Sequence, residues 1–200
     1  MKLKPKKSIL VVLGALLVFS ILVIGAEEEP VNFGNYDVKL SIKQQLGKAV
    51  GEVYPSELKQ LTELDLQNEK IENLKWFKYC ENLERLVLLD NGIKDISFLS
   101  NFTNLKHLVV FQNNISDLSP LSGLYKLRGV LLRHNNITDI QPLVDNFKVK
   151  ESGEEIGLGE GDRVNLRDNN LDLSEGSEDL QDIQTLLDRG VEVEYYPQKD

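Results

Sequence analysis

The chain has a single cysteine, Cys80, so an intrachain disulfide is excluded. No cysteine lies near the end of its apolar N-terminal run, which excludes a lipoprotein anchor. Histidine is almost as scarce, with only His107 and His134. Basic charge is short over most of the length. The first 26 residues hold four lysines and no acid, so the remainder sets 19 basic against 32 acidic side chains, a net of −13. Phosphate backbones repel so acidic a domain, and nucleic acid is not expected as a partner. The acidity favours solubility and by itself names no other partner.

What is present begins with a segregated N-terminus. Lys2, Lys4, Lys6 and Lys7 form a basic head, residues 9–26 carry no charge, and Glu27, Glu28 and Glu29 end the run. Residues 1–26 therefore read either as a secretory signal cleaved after Ala26 or as an N-terminal transmembrane anchor. Both readings put the rest of the chain outside the cytoplasm, because the positive end stays inside.

From Leu61 to Phe147 the chain matches itself at a shift of 22 residues. Leu61, Leu83, Leu105 and Leu127 share one column, and Leu64, Leu86, Leu108 and Val130 a second. Leu66, Leu88, Val110 and Leu132 fill a third, and Ile71, Ile93, Ile115 and Ile137 a fourth. Asn91, Asn113 and Asn135 form a polar column, in which the first unit has Glu69. A fixed period of this size marks a solenoid, whose units bury their apolar faces against one another. The alternation around Leu64/Leu66 and its counterparts has the period of a strand. After each isoleucine, apolar residues recur about every three, which suits a 3₁₀ turn or an extended crossover.

The unit L-x-x-L-x-L-x-x-N-x-I, kept in register four times, is identified as a leucine-rich repeat. Its 22-residue length, and tails such as Ile93-Lys-Asp-Ile-Ser-Phe-Leu99, resemble the internalin-type bacterial and archaeal subclass. The resemblance implies an α/β leucine-rich-repeat solenoid. A curved parallel sheet would line its concave side, 3₁₀ or irregular segments its convex side, with a helical N-terminal cap and a helix–strand C-terminal cap. The expected organisation is a polar spacer at 27–35 and the helical cap at 36–60, in which Asp37 caps a helix running to about Ala49. Four repeats follow at 61–148. An acidic, Gly-rich insertion at 149–161 is expected to be a flexible loop, since the next repeat unit starts at Gly161, 34 residues after Leu127 and 12 too many. The final repeat strand occupies 162–173 and the closing cap 174–200.

Candidates for chemistry are few. Cys80 shares a repeat column with Phe102 and Leu124 and reads as a small core residue rather than a nucleophile. His107 and His134 sit five places apart along the repeat, roughly 16 Å, and cannot share a metal. The acidic pairs read as a solvated face. Gly157–Gly161 lacks the lysine of a phosphate loop and is flanked by acids. No catalytic set, cofactor or small-molecule substrate is expected. Three sequons occur, at Asn101, Asn114 and Asn136, with Asn101 the preferred candidate for glycosylation because the other two follow from the repeat.

The informative positions are those the repeat leaves free. The third, fifth and seventh places of each unit point away from the leucine face. They align Val87, Leu89, Val109, Phe111 and Leu131 as an exposed apolar patch at the sheet centre. Arg85, His107, Arg133, Arg163 and Arg167 surround it. An apolar anchor with an Arg-containing rim has the anatomy of a protein interface. A non-enzymatic extracytoplasmic module that binds a protein through this face is the leading expectation. The alternative is a membrane-anchored envelope protein, held through residues 9–26, that forms a homodimer through the same face.

Overall fold

The computed structural model describes residues 28–199; the signal-or-anchor segment lies outside the described residues. The N-terminal cap opens with α1 (Tyr36–Gln45), whose N-cap is Asn35 rather than Asp37. The Asn35 side chain accepts the Asp37 N–H at 2.7 Å. The helix ends four residues short of the expected Ala49, because Gly47 takes a left-handed φ of 65°. There the Lys48 N–H donates to the Lys43 carbonyl and the Gly47 N–H to that of Gln44, closing a Schellman motif. Val38 and Ile42 are buried, while Ala49 is exposed. The short α2 (Pro55–Leu58) follows, its first turn held by the Glu57 carboxylate on the Tyr54 N–H at 2.9 Å.

Each repeat contributes a three-residue strand: β1 (Glu63–Asp65), β2 (Arg85–Val87), β3 (His107–Val109) and β4 (Gly129–Leu131). A hairpin of β5 (Phe147–Val149) and antiparallel β6 (Glu155–Gly157) interrupts the series. β7 (Arg163–Asn165) and β8 (Glu192–Glu194) then complete a parallel six-stranded sheet, ordered β1-β2-β3-β4-β7-β8. The β1–β4 register is Leu64, Leu86, Leu108, Val130, one full repeat per strand, with Val164 next. The return segments are 3₁₀ turns at Lys75–Tyr79, Ser97–Asn101 and Ser119–Leu121, and the four-residue α3 (Gln141–Val144). Asp95, Asp117 and Asp139 start three of these, each accepting the N–H two residues on at 2.8 Å.

Two features hold the stack together. The asparagine column is a buried ladder: Asn135 donates to Val110 and Leu132 carbonyls at 3.0 and 2.9 Å and accepts the Ile115 N–H at 3.0 Å. Asn113 and Asn169 repeat the pattern. The place before it turns the chain off the strand. Asn68, Asp90, Gln112, His134 and Asp168 all stand at φ of 52–58°, a region short polar side chains tolerate best. On the convex side, Trp76 stacks on Phe77 at 4.0 Å and Phe77 on Phe98 at 4.5 Å.

Two expectations need correction. The expected polar spacer at 27–35 is not a plain spacer over its described residues, 28–35. Val31 and Phe33 are buried, the Val31 N–H donates to the Val53 carbonyl at 2.8 Å, and Phe33 meets Trp76 edge-on at 5.1 Å. Nor is 149–161 an unstructured loop: it contains the second arm of the hairpin and then buries Leu158. Asn146, also buried, anchors it by donating to the Leu121 carbonyl at 2.6 Å and accepting the Leu158 N–H at 3.2 Å.

The closing cap is α4 (Glu178–Asp188), capped by Ser177, followed by Gly190 at φ 85° and β8. α4 packs on α3, and the seam is acidic. Burial, and then the charges of Asp139 and its neighbours, push the Asp179 and Asp182 carboxyls above their usual range. Asp139, Asp145, Asp172 and Glu178 face them. A carboxyl raised in the folded state contributes stability fully below its unfolded pKa and loses it as pH rises through the folded one. Asp182→Asn should therefore raise Tm at pH 7, and the gain over wild type should vanish as the pH falls below the ordinary carboxylate range. A pH-independent difference in thermal melts would contradict this.

Candidate functional site

The concave face is built by strand alternation. Leu64, Leu86, Leu108, Val130 and Val164 point inward and are buried, which turns the third, fifth and seventh places outward. The structure brings Val87, Val109 and Leu131 into one row across β2, β3 and β4, with Leu89 and Phe111 beside them. They are not fully exposed as expected. Val87 is 4% exposed and the other four are half-buried. Strands about 4.8 Å apart on an inward-curving sheet shield one another's side chains.

The charged surround also differs from expectation. Arg133 pairs with Asp168 at 2.7 Å, Arg163 with Glu192 at 2.6 Å, and Arg167 with Glu194 at 3.6 Å. The Arg133 guanidinium on Asp168 holds that carboxyl below its usual range. Arg85 has no ion-pair partner among the described residues. The His107 imidazole lies over Gly129, where an added Cβ would sit 3.0 Å from its Nδ1. Glu63 and Asp65 make the β1 end acidic. The available features are thus an apolar strip, an unpaired Arg85 and exposed His107 on one side, and a neutralised charged edge on the other.

Glu192, Glu194 and Asp168 were absent from the sequence-derived site. For the two glutamates the signal is the alternation of Val191, Val193 and Tyr195, which marks a strand; its parallel pairing with β7 adds the sixth row, while Asp168 follows β7 and had no such signal.

The remaining candidates have structural places. Cys80 is buried, and burial pushes its thiol up to about 12, so it stays a neutral core group at neutral pH. Among the described residues, no group of three or more His, Cys, Asp or Glu side chains is arranged to hold a metal ion. Asn101 is exposed at the end of its 3₁₀ turn. No described helix is long and apolar enough to cross a membrane.

Comparison with known proteins agrees with this architecture. The family model for Leucine Rich repeats (2 copies) matches residues 81–123. No curated protein matches the chain in sequence. Among solved structures, an internalin (inlF) from Listeria monocytogenes is similar at a TM-score of 0.58 and 25% identity. That alignment covers 88% of this chain and 61% of the internalin, so the chain spans less than two thirds of its length. An internalin C2 (inlC2) from the same organism aligns over 87% of this chain and 97% of its own, at 15% identity and a TM-score of 0.42. In repeat length, strand register and structural likeness alike, the chain resembles the leucine-rich-repeat proteins of the internalin type, and its residues 81–123 match the repeat model itself.

Proposed function

We propose that this is a non-enzymatic, extracytoplasmic module that binds a protein through its concave face. One observation carries the reading: the strip Val87–Leu89–Val109–Phe111–Leu131 lies at the centre of the sheet, buried at Val87 and half-shielded elsewhere, with Arg85, which has no ion-pair partner among the described residues, at its edge. Side chains already ordered by their neighbours lose little freedom on binding, and an apolar centre beside an Arg is what interface anchors look like. The basic head and the uncharged run 9–26 support an extracytoplasmic location, by secretion or by anchoring.

Leu89→Asp with Phe111→Asp should cut capture of partner from a surface extract at least tenfold while far-UV circular dichroism is unchanged. Undiminished capture by a folded double variant refutes the concave-face reading. A homodimer through the same strip would instead show concentration-dependent sedimentation that the double variant abolishes, and a concentration-independent monomer rejects it.

A further inference from the structure

The chain is fastened to its N-terminal cap almost from the point where the apolar run ends. Ala26 closes that run, and two residues later the Glu28 carboxylate accepts the Ser56 N–H at 3.2 Å and the Ser56 hydroxyl at 2.7 Å. The Val31–Val53 bond and the Phe33–Trp76 contact continue the attachment. Two residues reach at most about 7 Å, so there is no length for a stalk. The cap itself closes the open end of the solenoid. The Gln45 side-chain amide exchanges two hydrogen bonds with the Asp65 backbone, both 2.8 Å, and so satisfies the free edge of β1. The opposite side of α1 faces outward along the solenoid axis.

That end face is apolar beyond need. Six large hydrophobic residues are exposed among the described residues, and three are here: Tyr36 at 75%, Leu40 at 42% and Val50 at 79%. Tyr36 and Leu40 are one helical turn apart on the same face. Lys39, between them in sequence, pairs with Glu52 at 2.6 Å, which draws the loop carrying Val50 alongside.

We propose that this face rests on the outer surface of a lipid bilayer, with Tyr36, Leu40 and Val50 as its contact points. The inference takes the anchor branch of the functional reading, with residues 9–26 as the span. Aromatic and aliphatic side chains beside a span sit well at the interface, where one end of a tyrosine is apolar and the other wet. The solenoid then stands off the membrane with β1 nearest and β8 farthest, and the concave face opens sideways to a partner.

The test uses the full chain reconstituted in phosphatidylcholine vesicles, a zwitterionic surface that the acidic domain does not repel. Cys80 is buried and its thiol neutral, so a cysteine introduced by Leu40→Cys, Val50→Cys or Glu175→Cys is labelled alone with an environment-sensitive fluorophore. Glu175 is exposed at the far cap and serves as the distant reference. The chain should float with vesicles. A lipid-borne nitroxide should then quench the labels at positions 40 and 50 at least twofold and leave position 175 unquenched. Failure to float overturns the anchor and this inference together. Flotation with equal emission at all three positions, whether quenched or not, leaves the anchor standing and overturns the resting face alone.

Discussion

Asn113→Ala is expected to cost about 4 kcal/mol of folding stability, a large share of the roughly 5–15 kcal/mol that holds a typical domain. The Asn113 side-chain carbonyl accepts the N–H groups of Asn91 at 3.1 Å and Ile93 at 2.9 Å. Its amide donates to the Leu88 and Val110 carbonyls, both at 2.9 Å. Alanine leaves the Asn91 and Ile93 N–H groups and the Leu88 carbonyl without this partner, and takes one of two donors from the Val110 carbonyl. Each stranded group costs about 1–3 kcal/mol, and Val110 loses least because Asn135 also donates to its carbonyl. The position sits in the middle of a stack whose units are stabilised by their neighbours, so the loss cannot be confined to one end. Urea denaturation should show the midpoint falling with little change in slope. The adjacent Asn114→Ala, at an exposed position, should stay within about 0.5 kcal/mol. If Asn113→Ala loses less than 1 kcal/mol, the ladder does not carry the stack.

This ladder is legible in the sequence, because an amide recurring once per unit in an otherwise apolar register must bond backbone to be buried there. The left-handed column just before it is equally periodic but gives no such signal. Asn68, Asp90, Gln112, His134 and Asp168 share no chemical type, only polarity, and the constraint they answer is on the backbone. The segment 27–35 misleads for a different reason. Three glutamates dominate its composition, whereas its anchoring rests on Val31 and Phe33, whose partners Val53 and Trp76 lie 22 and 43 residues away. Periodicity reports faces, and it does not report which single residues meet across a fold.

The same limit applies to the concave face. Alternation places Val87, Val109 and Leu131 on the correct side, since a strand has only two. How exposed they are depends on sheet curvature and on the bulk of the next strand's side chains, neither of which is written in one strand. The arginines show it most clearly. Arg163 and Arg167 read as a free basic rim in the sequence, but β8 pairs in parallel with β7 and sets Glu192 and Glu194 beside them. The apolar strip with Arg85 survives this correction, and the proposed partner needs less negative charge opposite it than the sequence alone implies.

The hairpin between β4 and β7 offers the second large effect. Gly157→Ala should destabilise the protein by about 3 kcal/mol or more and open the segment 147–158. Gly157 stands at φ 103°, where a side chain is strained. An added Cβ would also lie 2.7 Å from the Asn146 carbonyl carbon and 2.9 Å from the Phe147 Cα, and closer still to the Asn146 oxygen. All three are backbone atoms, so no rotamer change relieves the contact. The glycine is also a junction. Its N–H donates to the Tyr125 carbonyl at 3.1 Å, and its own carbonyl accepts from Arg128 at 2.9 Å. Moving it pulls on Arg128, which holds the buried Asp162 at 3.2 Å. Gly153→Ala, at the open tip, meets nothing within 4 Å and should cost only its φ strain, about 1 kcal/mol. Trypsin should therefore cut at Lys148 and Lys150 at least tenfold faster in the Gly157 variant than in the Gly153 variant. Equal rates would show that the backbone absorbs the approach and that this glycine does not hold the hairpin. Because β4 pairs directly with β7, through Val130 and Val164, the concave face should keep its register when the hairpin opens. Partner capture by the Gly157 variant then tells whether the strip works alone: retained capture assigns binding to the strip, and lost capture adds the hairpin to the interface.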